Sequence, residues 1–495
     1  MNAMRIAVFV ISMASISVIA GSQLPARAAE EPVKIAGSWE GSIRIQGSGL
    51  RIVFNITLSG EGVPGGTVDS PDQGARGIPI REITVRGDSL IIDVAAVGGR
   101  FAGKYDRQVD VFSGSWNQSS MEFPLELRRS AAPAGPVRPQ TPQKPYPYKT
   151  EDVSYINEEA GITLAGTLTI PAGGGGFPAV VLITGSGQQN RDEEVFGHRP
   201  FLVLADHLTR RGIAVLRTDD RGVGGSGGNP ALSTTEDFAT DVRAAIVYLK
   251  SRPEIDQDGI GLVGHSEGGI IAPMVAAGGA DVKFVVLLAA PGLNGSEILI
   301  SQTGPILREA GLGEELIGKI LEQKRLEQDV FIREKDVDKA AEIMIEESTA
   351  FMDRYSREER QALDGIGYTE GAIAQRARIY STPWFGFFLS YDPAPALSRV
   401  ECPVLALWGE KDIQVPPGEN IAAIGKALSA GRCRRYRTLE LKGLNHLFQT
   451  CQTGSINEYG RITETFAPEA LDIISGWVLE AAADRAHGGV TEGRP

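Results

Sequence analysis

The run Gly264-His265-Ser266-Glu267-Gly268 follows directly on the apolar stretch Ile260-Gly261-Leu262-Val263. Ala272, Met274 and Val275 then continue with helical character. A serine between two glycines at the end of a buried strand predicts a tight strand-to-helix turn. Such a turn pushes the serine hydroxyl out of the sheet, and it needs small residues because the strand and helix backbones almost touch there. A serine hydroxyl is a poor nucleophile at neutral pH and needs a base to take its proton. Imidazole can take that proton and return it to a leaving group, and a buried carboxylate fixes the imidazole tautomer. The chain has five histidines. His198 and His207 precede the serine, His265 lies in the turn itself and His487 lies in a polar tail. His446 remains, five residues beyond an expected strand at Tyr436 to Leu441. Between serine and histidine, the apolar run Val404 to Trp408 ends in Gly409-Glu410-Lys411-Asp412. Asp412 therefore stands in a loop at a strand's carboxyl end, with Glu410 as the competing acid closer to the strand. The order Ser266, Asp412, His446 is the one that acyl-transfer sites built on a G-x-S-x-G turn adopt.

Acyl transfer through a tetrahedral intermediate needs backbone N–H groups aimed at the developing oxyanion. Glu267, the residue after the serine, is one expected donor. The other belongs to the loop Thr184-Gly185-Ser186-Gly187-Gln188, which follows the apolar run Pro178 to Ile183. Ser186 is the first choice there and Gly187 the second.

These loops require a sheet whose strands all present their carboxyl ends to one side. Apolar runs and amphipathic helical stretches do alternate from about residue 152, as a doubly wound α/β sheet requires. Phe238, Val242, Ala245, Ile246 and Leu249 form one helical face ahead of the serine strand. Phe284 to Ala289 is the next apolar strand. Between about 293 and 400 the alternation gives way to charge-rich helical sequence, which predicts a lid inserted above the strand ends. Trp384, Phe385 and Phe388 come from the end of this insertion. They are candidates for lining a substrate pocket, with lid core as the competing role.

The chain from about Asp152 to Leu479 resembles the α/β-hydrolase superfamily. Thr218-Asp219-Asp220-Arg221-Gly222-Val223-Gly224-Gly225-Ser226 is similar to that superfamily's D-x-R-G-x-G-x-S loop. Thr184 to Glu193 and Pro383 to Pro393 resemble the corresponding segments of bacterial EstD-like esterases, which are grouped with serine aminopeptidase-like hydrolases. The resemblance implies a serine carboxylesterase acting on short acyl esters without a cofactor. His198 stands where the family usually has another residue, which allows it either to touch substrate or to be solvated. Two other readings stay open. One is a peptidase that holds a substrate ammonium with an acid such as Glu193 or Glu194. The other is a non-catalytic binding protein that works through the region ahead of residue 130.

That earlier region, residues 35–129, has a different rhythm. Leu50, Ile52, Phe54, Ile56 and Leu58 alternate with Arg51, Val53, Asn55, Thr57 and Ser59, and Leu90, Ile92 and Val94 alternate likewise. Met121, Phe123, Leu125 and Leu127 repeat the pattern. Period two with glycine and aspartate turns predicts a small antiparallel, barrel-like β domain, faintly similar to lipocalins. Residues 130–148 carry six prolines and predict a semi-extended linker. At the start, an apolar run from Ile6 to Ala20 precedes Ala26-Arg27-Ala28. This reads as an export signal at residues 1–28, hence a periplasmic or secreted protein with no stable membrane insertion after cleavage. The net charge of −13 without a basic cluster argues against nucleic acid as a partner. Of three cysteines, Cys433 and Cys451 bracket the His446 loop, and an oxidising compartment would allow them to pair. No Cys/His spacing suggests a zinc site. The partner that this pattern calls for is a small-molecule ester, and the sequence sets no oligomeric state.

Overall fold

The structure, a computed structural model, describes residues 33–484 except 46–47, 59–62, 72–74, 95–96, 119–120, 131–137 and 366–369. The expected export signal and the first part of the expected linker lie outside the described residues. The chain divides into two compact units, the smaller made of most residues up to Ser130 and the larger of most of the remainder.

The smaller unit is an antiparallel sheet. Its strands are β1 (Gly37–Ile45), β2 (Ser48–Leu58), β3 (Pro64–Ser70), β4 (Ala75–Pro79), β5 (Glu82–Arg86), β6 (Ser89–Val94), β7 (Gly99–Asp106), β8 (Val111–Gln118) and β9 (Met121–Ser130). They pair in the order β4-β3-β2-β1-β9-β8-β7-β6-β5. The period-two pattern does what it should: on β6 Leu90, Ile92 and Val94 are buried while their neighbours are half-buried. Phe54 on β2 and Phe101 on β7 are four strand spacings apart in this order. Across a flat sheet that is about 19 Å. Their ring centroids are 5.9 Å apart. The sheet must therefore fold over on itself around an aromatic core that also holds Trp39, Phe112 and Trp116. The edge strands β4 and β5 are not paired, so the structure is a half-barrel rather than a closed one.

The larger unit holds an eight-stranded sheet. Its strands are β10 (Lys149–Asn157), β11 (Ile162–Ile170), β12 (Phe177–Ile183), β13 (Ala214–Thr218), β14 (Ile255–His265), β15 (Val285–Leu288), β16 (Val404–Gly409) and β17 (Tyr436–Leu441). The order is β10-β11-β13-β12-β14-β15-β16-β17, parallel from β13 to β17 with antiparallel β10 and β11 at one edge. Central strands are buried along their length, as β15 and β16 show, because helices cover both faces. Strand order reverses at β12, which lies between β13 and β14. A crevice opens at the carboxyl ends of strands at such a switch point. The loop after β12 and the serine turn after β14 both emerge there.

The interruption expected at 293–400 is a run of helices from Gly295–Glu309 to Ala394–Arg399, inserted between β15 and β16. It has its own core, with Ile317, Ile320, Met344, Phe351, Ile373 and Phe385 buried together. A buried Glu327 is neutralised there by Arg376 at 2.6 Å. Among the described residues no helix is long and apolar enough to cross a membrane.

The described part of the linker, from Arg138, is fastened to the larger unit, a point the sequence left open, and one sequence expectation changes. Buried Arg138 donates to the carbonyls of Phe196 at 2.7 Å and Gly460 at 3.1 Å, and Tyr148 donates to Asp206 at 2.8 Å. The pairing of Cys433 with Cys451 is not possible in this fold. Cys433 lies before β17, whereas Cys451 lies beyond its other end, where its N–H donates to Gly443 O at 3.0 Å. The strand between them spans about 17 Å, far beyond the roughly 7 Å between Cα atoms that a disulfide tolerates. All three cysteines are free thiols.

Candidate active site

Ser266 sits at φ 51°, the left-handed region, in the turn between β14 and the helix Gly268–Ala277. A non-glycine residue there is strained by about 1 kcal/mol or more. The surrounding glycines are what make the turn possible. A Cβ on Gly264 would lie 2.0 Å from Gly268 O, one on Gly268 2.3 Å from Ile183 O, and one on Gly269 2.3 Å from Ala290 Cβ. The Ser266 N–H donates to Leu288 O at 2.8 Å, which pins the turn to β15.

Asp412 and His446 meet as a pair. His446 Nδ1 and Asp412 Oδ2 are 2.7 Å apart, both side chains buried. The other carboxylate oxygen, Oδ1, accepts the N–H groups of Gln414 and Val415, each at 2.8 Å. With Nδ1 donating to Asp412, the imidazole presents Nε2 as an acceptor. Ser266 and His446 border one cavity of about 160 Å³ with Ser186, Phe196, Gln414 and Tyr459. Glu410, the competing acid, instead accepts the Gly443 N–H at 2.8 Å and is exposed. The His446 loop is braced by an amide rather than by a disulfide. Asn445 Oδ1 accepts the N–H groups of Leu447 at 3.0 Å and Gln449 at 2.9 Å, while Asn445 Nδ2 donates to Gln449 Oε1 at 3.0 Å.

The loop after β12 is held by carboxylates. Asp220 accepts the Thr184 hydroxyl at 2.6 Å and the Gln189 N–H at 2.8 Å. Its pKa is pushed up to about 7, chiefly by burial and further by Glu193 and Glu267, against the pull of those two hydrogen bonds. Asp219 takes the Arg191 guanidinium at 2.7 Å. Burial works to raise its pKa, yet Arg191 and the Arg191 and Gly225 N–H groups hold it below the usual value. Arg221 in turn reaches Asp241 at 2.6 Å. The D-x-R-G loop is thus a clamp behind the loop that carries Ser186 and Gly187. Of those two, Ser186 borders the cavity shared with Ser266. Gly187 borders a second cavity behind the loop, with Asp220, Phe238 and Glu267.

The aromatic candidates of the lid lie elsewhere than the Ser266 cavity. Trp384 Nε1 donates to Glu267 Oε1 at 2.7 Å, and Thr235 donates to the same oxygen at 2.7 Å. Burial raises the Glu267 pKa against these two bonds. Trp384 therefore ties the lid helix Pro383–Ser390 to the residue next to the serine. Phe385 stacks on Tyr380 at 4.1 Å within the lid core, and Phe388 stacks on Trp384 at 5.1 Å. These residues are packing and anchoring groups. His198 is neither solvated nor at the cavity. It is wholly buried, with Nδ1 2.9 Å from Thr465 Oγ1 and Nε2 2.9 Å from Tyr459 O. Burial depresses its pKa to about 4, with Arg138 adding to the effect against backbone hydrogen bonding.

Sequence reasoning offered Glu193 only as an acid that could hold a substrate ammonium and gave His265 no role in the site. Glu193 Oε1 is 2.9 Å from His265 Nδ1 and accepts the Gly185 N–H at 2.8 Å. The one signal available was a histidine beside the nucleophile within the turn motif.

A family model described as serine aminopeptidase, S33, matches residues 199–345. The chain is 27% identical to Esterase EstD of Thermotoga maritima over 293 residues, which is 59% of this chain and 60% of that protein's length. Among solved structures, a hypothetical protein from Pseudomonas aeruginosa is 20% identical with a TM-score of 0.43, covering 69% of this chain and 96% of its own. Est1E from Butyrivibrio proteoclasticus is 16% identical with a TM-score of 0.37, covering 67% of this chain and 99% of its own. The family match, the EstD relative and the sheet order described above make the larger unit similar in sequence and fold to EstD-like α/β hydrolases.

Proposed function

From that fold we propose that the protein is a serine carboxylesterase for short acyl esters, with Ser266 as nucleophile, His446 as general base and Asp412 as the group that orients it. The observation that carries this reading is the His446–Asp412 hydrogen bond of 2.7 Å, set so that His446 and the strained Ser266 border one cavity. His446 Nε2 takes the Ser266 proton as Oγ attacks the ester carbonyl. The oxyanion that forms is met by the Glu267 N–H and the Ser186 N–H, which have no acceptor among the described residues. His446 then returns the proton to the departing alcohol. A water, deprotonated by His446 in turn, releases the acid from Ser266. Donors fixed before the reaction cost no reorganisation when charge develops, which is why the clamped loop after β12 matters.

The size of the cavity, about 160 Å³, suits a short acyl chain. The competing peptidase reading needs a free carboxylate to hold an ammonium. Glu193 is the acid that borders the Ser266 cavity, and its Oε1 is already engaged by His265 and Gly185. The test is hydrolysis of p-nitrophenyl acetate beside aminoacyl anilides. Cleavage of the ester and not of the anilide is the expected result. Preferential anilide cleavage makes the protein a peptidase. Turnover of neither, together with no labelling of Ser266 by a fluorophosphonate, leaves a binding protein.

A further inference from the structure

His265 is buried inside the turn motif and uses both ring nitrogens. Nδ1 lies 2.9 Å from Glu193 Oε1 and Nε2 lies 3.0 Å from the main-chain oxygen of His446. A backbone carbonyl can only accept, so Nε2 carries a proton. Glu193 Oε1 also accepts the Gly185 N–H at 2.8 Å, which marks it as a carboxylate oxygen gathering donors. Nδ1 must then donate as well, and a histidine that donates from both nitrogens is an imidazolium. Glu193 holds this position at φ 51°, a conformation unfavourable for a non-glycine residue. Backbone strain persists where the surroundings over-determine it, and here Glu193 is pinned by its N–H to Asn190 O at 2.8 Å as well as by its carboxylate.

We infer that Glu193 and His265 are positioning residues for the hydrolysis proposed above: a buried ion pair that ties the oxyanion loop at Gly185, the nucleophile turn and the backbone of the base His446 into one rigid unit. The inference rests on the esterase reading for its consequence but not for its geometry. Three separate chain segments meet at these two side chains. Gly185 belongs to the loop after β12 and sits close to the nucleophile, since a Cβ on it would lie 3.1 Å from Ser266 Cβ. His265 belongs to the end of β14, and the His446 carbonyl belongs to the loop after β17. The titratable groups facing the His265 ring are Glu193 on one side and His446, with ring centroids 4.8 Å apart, on the other, with Asp412 behind. Burial opposes a charged ring, yet Glu193, the His446 carbonyl and Asp412 outweigh it and raise the His265 pKa. Neither side chain transfers a proton in the reaction. Their work is to keep Nε2 of His446 and the donors near Ser186 fixed relative to Ser266, where displacement by about 1 Å can cost about a hundredfold in rate.

The test uses the full chain and three variants: Glu193→Gln, His265→Gln and the double variant. Glu193→Gln keeps the volume and an acceptor oxygen, His265→Gln keeps a similar volume and one of the two donors, and both remove the charge pair. With p-nitrophenyl acetate, each single variant should lose about 10- to 100-fold in kcat with KM changed by less than about threefold. The double variant should lose no more than the worse single one, because the two residues act as a unit. Independently, ¹⁵N NMR of histidine-labelled wild-type protein should show one buried imidazole with both nitrogens protonated from pH 6 to 8, and Glu193→Gln should remove that signature. Folded single variants within twofold of wild type, or losses that multiply in the double variant, overturn the inference. So does a singly protonated His265 ring at pH 7, a result that does not depend on any variant folding. If the wild-type protein cleaves no ester, the functional reading fails, while the NMR measurement still decides whether the ion pair exists.

Discussion

The two units bury different kinds of residue. Both have aromatic cores, but among the described residues before Ser130 the buried side chains with polar atoms are Ser70 and the tryptophans Trp39 and Trp116. Each indole N–H has a neutral partner, Ile35 O at 2.7 Å for Trp39 and Gln118 Oε1 at 3.1 Å for Trp116. The larger unit buries Glu193, Arg217, Asp219, Arg221, His265, Glu267, Glu327, Asp412 and His446. Burying charge is expensive unless it is paired and hydrogen-bonded. Most of these groups are gathered at the carboxyl ends of β12, β13, β14, β16 and β17, where each is assigned a partner. A fold meets that cost where geometry has to be fixed, so the distribution of buried charge marks the working site. Among the described residues the half-barrel carries no comparable cluster, and its core is built from packed rings.

The strongest way to break this comparison is to remove the nucleophile. Ser266→Ala should reduce kcat for ester hydrolysis by about 10⁴ or more while leaving circular dichroism and melting unchanged. A folded variant with near-normal turnover would move the chemistry elsewhere. Asp412→Asn should come next, at about 10³- to 10⁴-fold, because the amide no longer stabilises the His446 cation or enforces its tautomer. Glu410→Gln serves as its control. That carboxylate is exposed and bound to the Gly443 N–H, so its loss should change kcat by less than about threefold. The reverse ranking in purified variants would assign the acid to Glu410.

The half-barrel supplies the opposite prediction. Phe101 is fully buried against Phe54. Phe101→Ala should cost about 3–5 kcal/mol of that unit's stability, through lost burial and a cavity. Ester hydrolysis per folded molecule should not change. Differential scanning calorimetry beside an activity assay checks both halves of the statement. A variant that loses activity in proportion to nucleophile substitutions would show that the half-barrel takes part in the reaction.

The site was legible in sequence where chemistry demands a residue type at a strand end. Ser266 and Asp412 were candidates because an apolar run ends beside each, and His446 because the other four histidines stand elsewhere in the chain; the structure brings His446 against Asp412 and beside Ser266 at one cavity. Sequence could not show which polar groups are spent on one another. His265 is a motif position of variable identity, and its partners lie 72 and 181 residues away along the chain. Lid aromatics were open to two roles because burial in a lid core and burial beside a substrate produce the same composition. Trp384 resolved into an anchor only when its indole met Glu267, 117 residues upstream. Cys433 and Cys451 bracket His446 in sequence, yet a single parallel strand sets them at opposite ends of the sheet. Period two identified the half-barrel's strands, but whether its edges close depends on pairings that no local pattern encodes.

The finest test asks whether the buried charge of the site costs what the comparison implies. Asp220 is the clearest case. Burial raises its pKa to about 7, although Thr184 and Gln189 both donate to it. An unfolded aspartate titrates near 3.9. Below about pH 4 the group is protonated in both states and contributes nothing to the pH dependence. Between about pH 4 and 7 the unfolded chain releases the proton while the folded protein retains it, so stability falls as pH rises. Above about pH 7 the cost is constant. In Asp220→Asn the amide oxygen can accept the Gln189 N–H and the amide nitrogen can donate to the Thr184 oxygen, so the clamp stays while the charge is gone. The variant should melt close to wild type at pH 4.5 and higher than wild type at pH 8, by on the order of 3 °C or more. Glu267 and Asp241 are also raised, chiefly by burial, and are left in place, so the wild-type slope should shrink rather than vanish. A gap between the two melting temperatures that is the same at both pH values would mean that Asp220 is ionised without penalty. The loop behind the oxyanion donors would then be held by an ordinary carboxylate, and buried charge would cease to distinguish this part of the molecule.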